Sequence, residues 1–307
     1  MIEIVANSEA MKAVLLIAER VAVTDANVLI TGESGAGKDV LAQFIHAKSK
    51  RAANDFVKVD CASLPTDLIE AELFGYERGA FTGATEAKPG RFESAHRGTL
   101  ILDEIAHLTV EAQAKLLRVI ERKEFERLGG KRTIKVDARI IALTNVDLES
   151  SVKRKSFRED LFYRLNVVRL HLPPLRDRRE DIEPLANQFL KKFSSKHRSE
   201  MKSFSAMALE ALTKCDFSGN VRELANAIER AVIVSKGEKI EDEDLPEAFH
   251  ASIALKAKTT KRLTLAELEE EYVKETLALT KGNKSKAARL LGISRKNLYE
   301  RLERYER

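Results

Sequence analysis

Val28-Leu29-Ile30-Thr31 leads straight into Gly32-Glu33-Ser34-Gly35-Ala36-Gly37-Lys38-Asp39, and the apolar residues Val40, Leu41, Phe44 and Ile45 follow at helical spacing. A buried strand, a glycine-rich loop and a helix form the setting in which GxxxxGK works as a phosphate cradle. Glycines let successive backbone N–H groups face phosphate oxygens, the helix N-terminus adds the positive end of its dipole, and Lys38 reaches the β- and γ-phosphates. A plain glycine turn between strand and helix is the blander reading. The general motif closes with Ser or Thr, whose hydroxyl ligates Mg2+. Asp39 stands there instead, which puts that metal contact in question and leaves phosphate binding in place.

Working outward, Phe56-Val57-Lys58-Val59-Asp60 reads as a second strand, and a helix opened by Asp67 and Glu70 stops at Gly75. Gly98-Thr99-Leu100-Ile101-Leu102-Asp103-Glu104 is a buried strand ending in two carboxylates. In P-loop ATPases the first acid of such a pair orients the Mg2+ shell and the second polarises the attacking water. The dipeptide alone carries no signal; its place at the end of an apolar strand downstream of a P-loop does. Leu108 to Leu128 reads as one helix with Leu116, Leu117, Ile120 and Phe125 inward, interrupted at Gly129-Gly130-Lys131 by a surface loop. Residues 138–145 form a further strand, ending at Asn145 on the carboxyl edge where doubly wound sheets bind ligands. Asn145 there either senses phosphate or simply terminates the strand.

Residues 157–165 read as a helix that carries both Arg158 and Arg164, six residues and so about 120° apart around its axis. They are either solvated or supply positive charge to a phosphoryl transition state, in a neighbouring subunit. After Leu172-Pro173-Pro174-Leu175 the pattern is helical over 181–197, 205–214 and 219–236, with no further period-2 strand expected. The resulting division is an α/β core over 1–170, a helical lid over 171–245, a linker over 246–262 and a last module over 263–307.

Glu77-Arg78-Gly79-Ala80-Phe81-Thr82-Gly83-Ala84 has no apolar period, and its glycines allow sharp positive-φ turns. In isolation, Phe81 reads as a residue tucked back into the core. With the P-loop and paired acids on either side, it reads as an exposed working tip with glycine hinges.

At 307 residues, with 33% charged and 44% hydrophobic residues, the composition is that of a globular chain of two or three domains. Cys61 and Cys215 have no metal-ligand spacing, so a reducing cytoplasm and no structural metal are expected. No apolar run suits a bilayer and Met1-Ile2-Glu3 opens no signal peptide, so no membrane partner is expected. The net charge of +5 is uneven: residues 281–307 hold nine Lys/Arg against three Glu, leaving the rest near neutral. That pattern points to a separate module for a polyanion, although a basic solvated helix face would look alike.

The last module opens on Thr264-Leu265-Ala266-Glu267, a capping box, on a helix expected to bury Leu268, Tyr272 and Leu277. A turn at Gly282-Asn283, a short helix with Ala287, Ala288, Leu290 and Leu291, a stop at Gly292 and a helix capped by Ser294 follow. This is the helix-turn-helix plan, with a plain helical hairpin as the alternative. Arg295, Lys296 and Asn297 fall where a recognition helix meets base edges, and Arg301 and Arg304 where it meets phosphate.

Together these residues resemble the bacterial enhancer-binding proteins, the AAA+ activators of sigma-54-dependent transcription, over nearly the whole chain. GESGAGKD at 32–39 is similar to the family's phosphate loop, ELFGYERGAFTGA at 72–84 holds its hallmark loop, and TLILDE at 99–104 its Walker B strand. FREDLFYRLNVV at 157–168 resembles the arginine-finger segment, and LPPLRDRREDI at 172–182 and GNVREL at 219–224 the linker and sensor II regions. The resemblance implies a parallel five-stranded AAA+ sheet with flanking helices, a helical lid and an all-α Fis-type helix-turn-helix domain. It further implies ATP and Mg2+ as cofactors, with residues 32–39 and Arg222 at the nucleotide, Asp103 on Mg2+ and Glu104 on water. Residues 79–84 would grip sigma-54, and a homo-oligomer (dimer to hexamer or heptamer ring) would remodel the closed complex of the holoenzyme at double-stranded upstream DNA. Asp60 stands where the family has an Asn that restrains the catalytic glutamate; a carboxylate there cannot donate to Glu104 and would repel it. Many members begin with a receiver or ligand-sensing domain, so regulation is expected from a separate protein or a preceding segment. The alternative is a DNA-binding repressor that uses nucleotide only to sense and to oligomerise.

Overall fold

Ser8 caps the first helix by accepting from the Met11 amide, and α1 (Glu9–Ala22) turns Met11, Ala18, Val21 and Ala22 inward. In the computed structural model, residues 4–63, 65–197, 202–246, 249, 264–280 and 282–305 are described. After α1 come β1 (Val28–Thr31), α2 (Lys38–Ala47), β2 (Phe56–Asp60) and α3 (Thr66–Phe74). A two-residue pair, β3 (Gly75–Tyr76) with β4 (Lys88–Pro89), and α4 (Arg91–Ser94) precede β5 (Thr99–Asp103). Then follow α5 (Val110–Arg122), β6 (Glu124–Glu126), β7 (Thr133–Lys135), β8 (Arg139–Thr144), α6 (Leu148–Lys153), α7 (Glu159–Leu165) and β9 (Val168–His171).

The main sheet has five strands, all parallel, in the order β2-β5-β8-β1-β9. β1 and β8 are buried along their whole length, as expected of parallel strands covered on both faces. Side chains alternate between two cores. Leu29, Leu100, Leu102, Ile140 and Ala142 meet α3 and α5 residues on one face, while Val28, Ile30, Ile101, Ile141 and Leu143 meet α1 and α2 on the other. Arg139, only 1% exposed, donates to the carbonyls of Val21 and Ala22 and so satisfies the open end of α1.

Three expectations need correction. The helix expected over 108–128 ends at Arg122, where Lys123 turns left-handed at φ 57°, and Phe125 points inward from a β6–β7 hairpin. The Glu124-Phe125-Glu126 alternation is a strand signal only three residues long, too short to show against the preceding helical period. The fifth strand, β9, is the one the sequence did not locate: Val168-Arg169-Leu170-His171 is four residues long and follows a helix that carries the stronger period. Arg158 precedes α7 as its N-cap, so of the two arginines only Arg164 lies within the helix.

The lid residues form α8 (Ile182–Lys196), α9 (Ala206–Lys214) and α10 (Asn220–Val234). A parallel pair of two-residue strands, β10 (Ser203–Phe204) and β11 (Lys239–Ile240), joins them, where no strand was expected. The expected linker over 246–262 lies outside the described residues except for Pro246 and Phe249, whose ring sits 5.4 Å from that of Phe217.

The chain divides after Phe249 into two units. The second holds α11 (Leu265–Leu279), α12 (Lys284–Leu290) and α13 (Arg295–Tyr305). The capping box at Thr264 forms as expected, with Glu267 reaching back to the Thr264 amide. Its small core is Val273, Ala287, Ala288 and Leu298, backed by Leu277, Leu291, Ile293, Leu302 and Tyr305. Tyr272 is exposed, because Val273 and Thr276 occupy the inward face of α11 instead; the side chain of Leu268 lies outside the described residues.

Candidate functional site

The phosphate loop connects β1 to α2, and the strand order sets what faces it. β8 lies between β1 and β5, so Asn145 after β8 falls between the loop and the Asp103–Glu104 pair after β5. All three leave the sheet at its carboxyl edge. Gly35 and Gly37 take positive φ, 75° and 106°, which L-residues with side chains rarely adopt. Gly35 also lets the backbone of Gly219 approach: a Cβ there would meet the Gly219 carbonyl at 2.3 Å. Lys38 is nearly buried and donates to the carbonyls of Gly32 and Glu33, at 2.9 and 3.2 Å. Burial lowers its pKa, opposed by the nearby carboxylates of Glu104, Asp103 and Asp39.

Asp103 accepts from the Glu104 amide at 3.0 Å, and Glu104 itself sits at φ 51°. A non-glycine residue held left-handed is strained, and such strain collects where a side chain must be aimed. Glu104 Oε2 lies 3.5 Å from the Asn145 amide, the outer limit of a hydrogen bond. Asp60 pairs in register with Asp103 across β2 and β5, but its carboxylate accepts from the Ala62 amide at 2.9 Å and so is turned into its own loop. Lys58, one turn of the pleat earlier, reaches both Asp39 at 2.5 Å and Asp103 at 2.8 Å. Burial alone would lower the Lys58 pKa, yet hydrogen bonds to these two acids raise it on balance.

The lid closes over the loop. Glu33 accepts from Arg176 and from Asn220, Asn220 donates further to the Ser34 carbonyl, and Arg222 donates to Ser34 Oγ at 3.1 Å. Glu33 and Ser34, both expected at the nucleotide, therefore spend their side chains on the lid. Behind the loop lies an apolar cavity of about 310 Å³ lined by Val5, Met11, Leu41, Leu172, Leu185 and Phe189. These residues come from the N-terminal segment, α2, the end of the sheet and α8, so no sequence window held them together. Arg178 lines it too, and donates to the Ala36 carbonyl at 2.6 Å.

Arg158 and Arg164 do not join this group: they pair with Asp160 and Glu121 at an exposed surface. Residues 79–84 form a loop between β3 and β4, closed by hydrogen bonds from Gly79 N to Ala84 O and from Ala84 N to Phe81 O. Gly79 and Gly83 take φ of 82° and 103° with open space at their Cβ positions, so conformation, not room, requires glycine. Phe81 is 38% exposed and rests edge-on against Tyr76, ring centroids 5.0 Å apart. It is neither in the core nor wholly free. The β6–β7 hairpin braces the loop: Glu77 N donates to Leu128 O, a Cβ on Gly129 would meet Ala80 at 3.0 Å, and Arg127 pairs with Glu77 and Glu93.

In the second unit Ser294 Oγ accepts from the Asn297 amide at 3.2 Å, as its capping role requires. Arg295, Lys296, Asn297 and Arg304 are exposed on α13. Arg295 donates to Ser285, and Arg301 pairs with Glu269 and donates to Asn297 Oδ1.

Residues 4–171 match the Sigma-54 interaction domain, 176–276 the AAA+ ATPase lid domain and 264–305 the Bacterial regulatory protein, Fis family. The chain belongs to the sigma-54 activator family. It is 48% identical to the regulatory protein AtoC of Escherichia coli, over 98% of this chain and 67% of that one. It is 45% identical to the transcriptional regulatory protein FlbD of Caulobacter vibrioides, over 98% and 70%. Among solved structures it resembles NtrX from Brucella abortus in complex with ATP, at 36% identity and a TM-score of 0.77, covering 98% of this chain and 69% of that one. The sequence-based family reading, the AAA+ fold with lid and helix-turn-helix, and the ATPase activity stand. So does the role of a sigma-54-dependent transcriptional activator, over that of a repressor. No helix of the described residues is long and apolar enough to cross a membrane.

Proposed function

We propose that this activator binds ATP behind and above the 32–39 loop and couples its hydrolysis, through residues 79–84, to opening of the sigma-54 holoenzyme's closed complex. The apolar cavity at Val5, Leu172 and Phe189 takes the base, and the loop amides with Lys38 take the phosphates. Phosphate oxygens replace the Gly32 and Glu33 carbonyls as acceptors for Lys38. Asp103 is the residue that would hold a Mg2+ ion, which when bound neutralises charge on the β- and γ-phosphate oxygens. The donors suit it: Mg2+ takes one or two carboxylates and completes its shell with phosphates and waters. Among the described residues no set of three or more metal-ligating side chains stands by itself, in keeping with a shared shell.

Glu104 lies beyond Asp103 and accepts the proton of the attacking water. Asn145 steadies Glu104 through its backbone amide, and Asp60, turned into its own loop, leaves that carboxylate unopposed. Arg158 and Arg164, exposed on their own subunit, reach the γ-phosphate of a neighbour in a homo-oligomeric ring, and Arg222 carries the nucleotide state to the lid. Arg295, Lys296 and Asn297 read base edges of upstream double-stranded DNA, with Arg301 and Arg304 toward phosphate. Cytoplasm supplies both ATP and promoter DNA.

One observation carries this reading: an intact phosphate loop and acid pair share a domain with a glycine-hinged Phe-Thr loop mounted on its own strand pair. Thr82→Ala tests it. The variant is expected to keep ATPase activity and lose open-complex formation; normal promoter opening would sink the proposal.

A further inference from the structure

The register of β2 on β5 brings Lys58 opposite Ile101, two residues before the strand ends at Asp60 and Asp103. From there its ammonium spans two elements, meeting Asp39 in the first turn of α2 and Asp103 at the tip of β5. Lys38, the other ammonium beside these acids, is directed elsewhere, to the carbonyls of the phosphate loop. Asp39 stands where a hydroxyl would usually face the metal, so this chain carries an extra carboxylate at that point. Two carboxylates next to a triphosphate repel it unless a cation lies between.

We propose that Lys58 is a positioning residue that serves as the resident counter-ion of Asp39 and Asp103, holding both acids and masking their charge until a divalent cation arrives with the nucleotide. The proposal rests on the assignment of Asp103 as the magnesium-holding acid. Once the metal's charge is present, Lys58 keeps Asp39 while Asp103 turns to the cation. Arginine would serve as well, since its guanidinium is always charged, sits on a long stem and has several N–H donors for two carboxylates. A neutral side chain would not.

An uncompensated negative charge about 6 Å from a phosphate weakens binding by roughly threefold to a hundredfold, depending on how far water screens it. Binding of ATPγS to the full chain is therefore measured by calorimetry with Mg2+ and, separately, with EDTA. Lys58→Met is expected to lose about tenfold in affinity in EDTA and less than about twofold with Mg2+. Lys58→Arg should match the unsubstituted protein in both, and adding Asp39→Asn to Lys58→Met should recover most of the loss in EDTA. Equal losses in the two conditions would mean that Lys58 only supports the fold, and no loss in either would mean that it does nothing for the acids. Both results overturn the proposal. Asp103→Asn, run alongside, separates the failures. If Mg2+ still tightens binding to that variant as in the unsubstituted protein, the metal assignment falls and the role of Lys58 with it. If the gain disappears while Lys58→Met behaves normally, the role of Lys58 alone falls.

Discussion

Glu33, in the phosphate loop, accepts both branches of the Arg176 guanidinium, at 2.6 and 2.9 Å, and a third hydrogen bond from Asn220 at 3.0 Å. The loop and the segment that begins the lid are thus joined by a charged fork. Hydrogen bonds from Arg176 and Asn220 hold the Glu33 carboxyl down to about 2, against an ordinary value of 4.5. A carboxylate depressed in the folded state stabilises above its unfolded pKa, and that contribution is lost as pH falls toward the folded value. Glu33→Gln should therefore melt below the unsubstituted protein at pH 7, with the gap closing between about pH 4.5 and 2. The pair is partly exposed, so the gap at pH 7 should be no more than about 1 kcal/mol. Calorimetric melting of both proteins across that range checks it.

Substitution at the chemical step should separate binding from turnover. Glu104→Gln keeps shape and hydrogen bonding but cannot take a proton, so turnover should fall by about 10²–10⁴-fold while ATP binding persists. Lys38→Met should lose binding itself, because no other ammonium is placed to replace phosphate contacts made from inside the loop. Nucleotide affinity and steady-state hydrolysis on each variant distinguish the two.

Arg164 lies 3.0 Å from Glu121 at an exposed surface, away from its own acid pair. If it acts on a neighbour's γ-phosphate, Arg164→Ala and Glu104→Gln should each be inactive alone. An equal mixture should then regain up to about a quarter of normal turnover, since one interface in four would pair an intact Glu104 with an intact Arg164. A mixture as inactive as its parts would count against action in trans.

Gly129 offers a test of the hairpin that braces the loop at 79–84. Alanine there would be left-handed at φ 70° and would press on Ala80 at 3.0 Å. Left-handed strain costs about 1 kcal/mol, too little to unfold the domain but enough to displace residues 79–84. Gly129→Ala should keep ATP turnover within about threefold and reduce open-complex formation well beyond that. Transcription from a sigma-54 promoter beside an ATPase assay reads both.

The DNA module stands on very little core. Leu298 is fully buried between α11 and α12, and truncation of such a residue costs about 2–5 kcal/mol. Leu298→Ala should abolish DNA binding by loss of fold. Arg295→Ala should weaken it with α13 intact, as circular dichroism and gel shift would report. ATP hydrolysis should survive in both.

Much of this was written in local runs of sequence. The phosphate loop, the acid pair, the loop at 79–84 and the capping boxes each depend on a few adjacent residues whose backbone or side-chain chemistry admits few alternatives. Gly35 and Gly37 can turn left-handed without strain, as they do here, and an apolar run that ends in Asp103-Glu104 places those acids at a strand tip. Where a signal was short, it was lost. The β6–β7 hairpin shows a single inward Phe125, and β9 offers four residues beside a helix that carried the stronger period.

What only the tertiary structure decided is the company these residues keep. The GNVREL segment pointed to Arg222, yet Asn220, left-handed at φ 54° and fully buried, ties the lid to the loop. That Lys58 reaches both Asp39 and Asp103 follows only from β2 lying beside β5. The apolar cavity behind the phosphate loop draws on segments from Ile4 to Val221. Sequence alone marked this chain as a phosphate-binding, ATP-hydrolysing member of the sigma-54 activator family, because those signatures live in contiguous residues. Which partners hold Glu33, Asp39 and Asp103 was decided by sheet order and lid closure, because a side chain's partner across space depends on packing that no stretch of sequence contains.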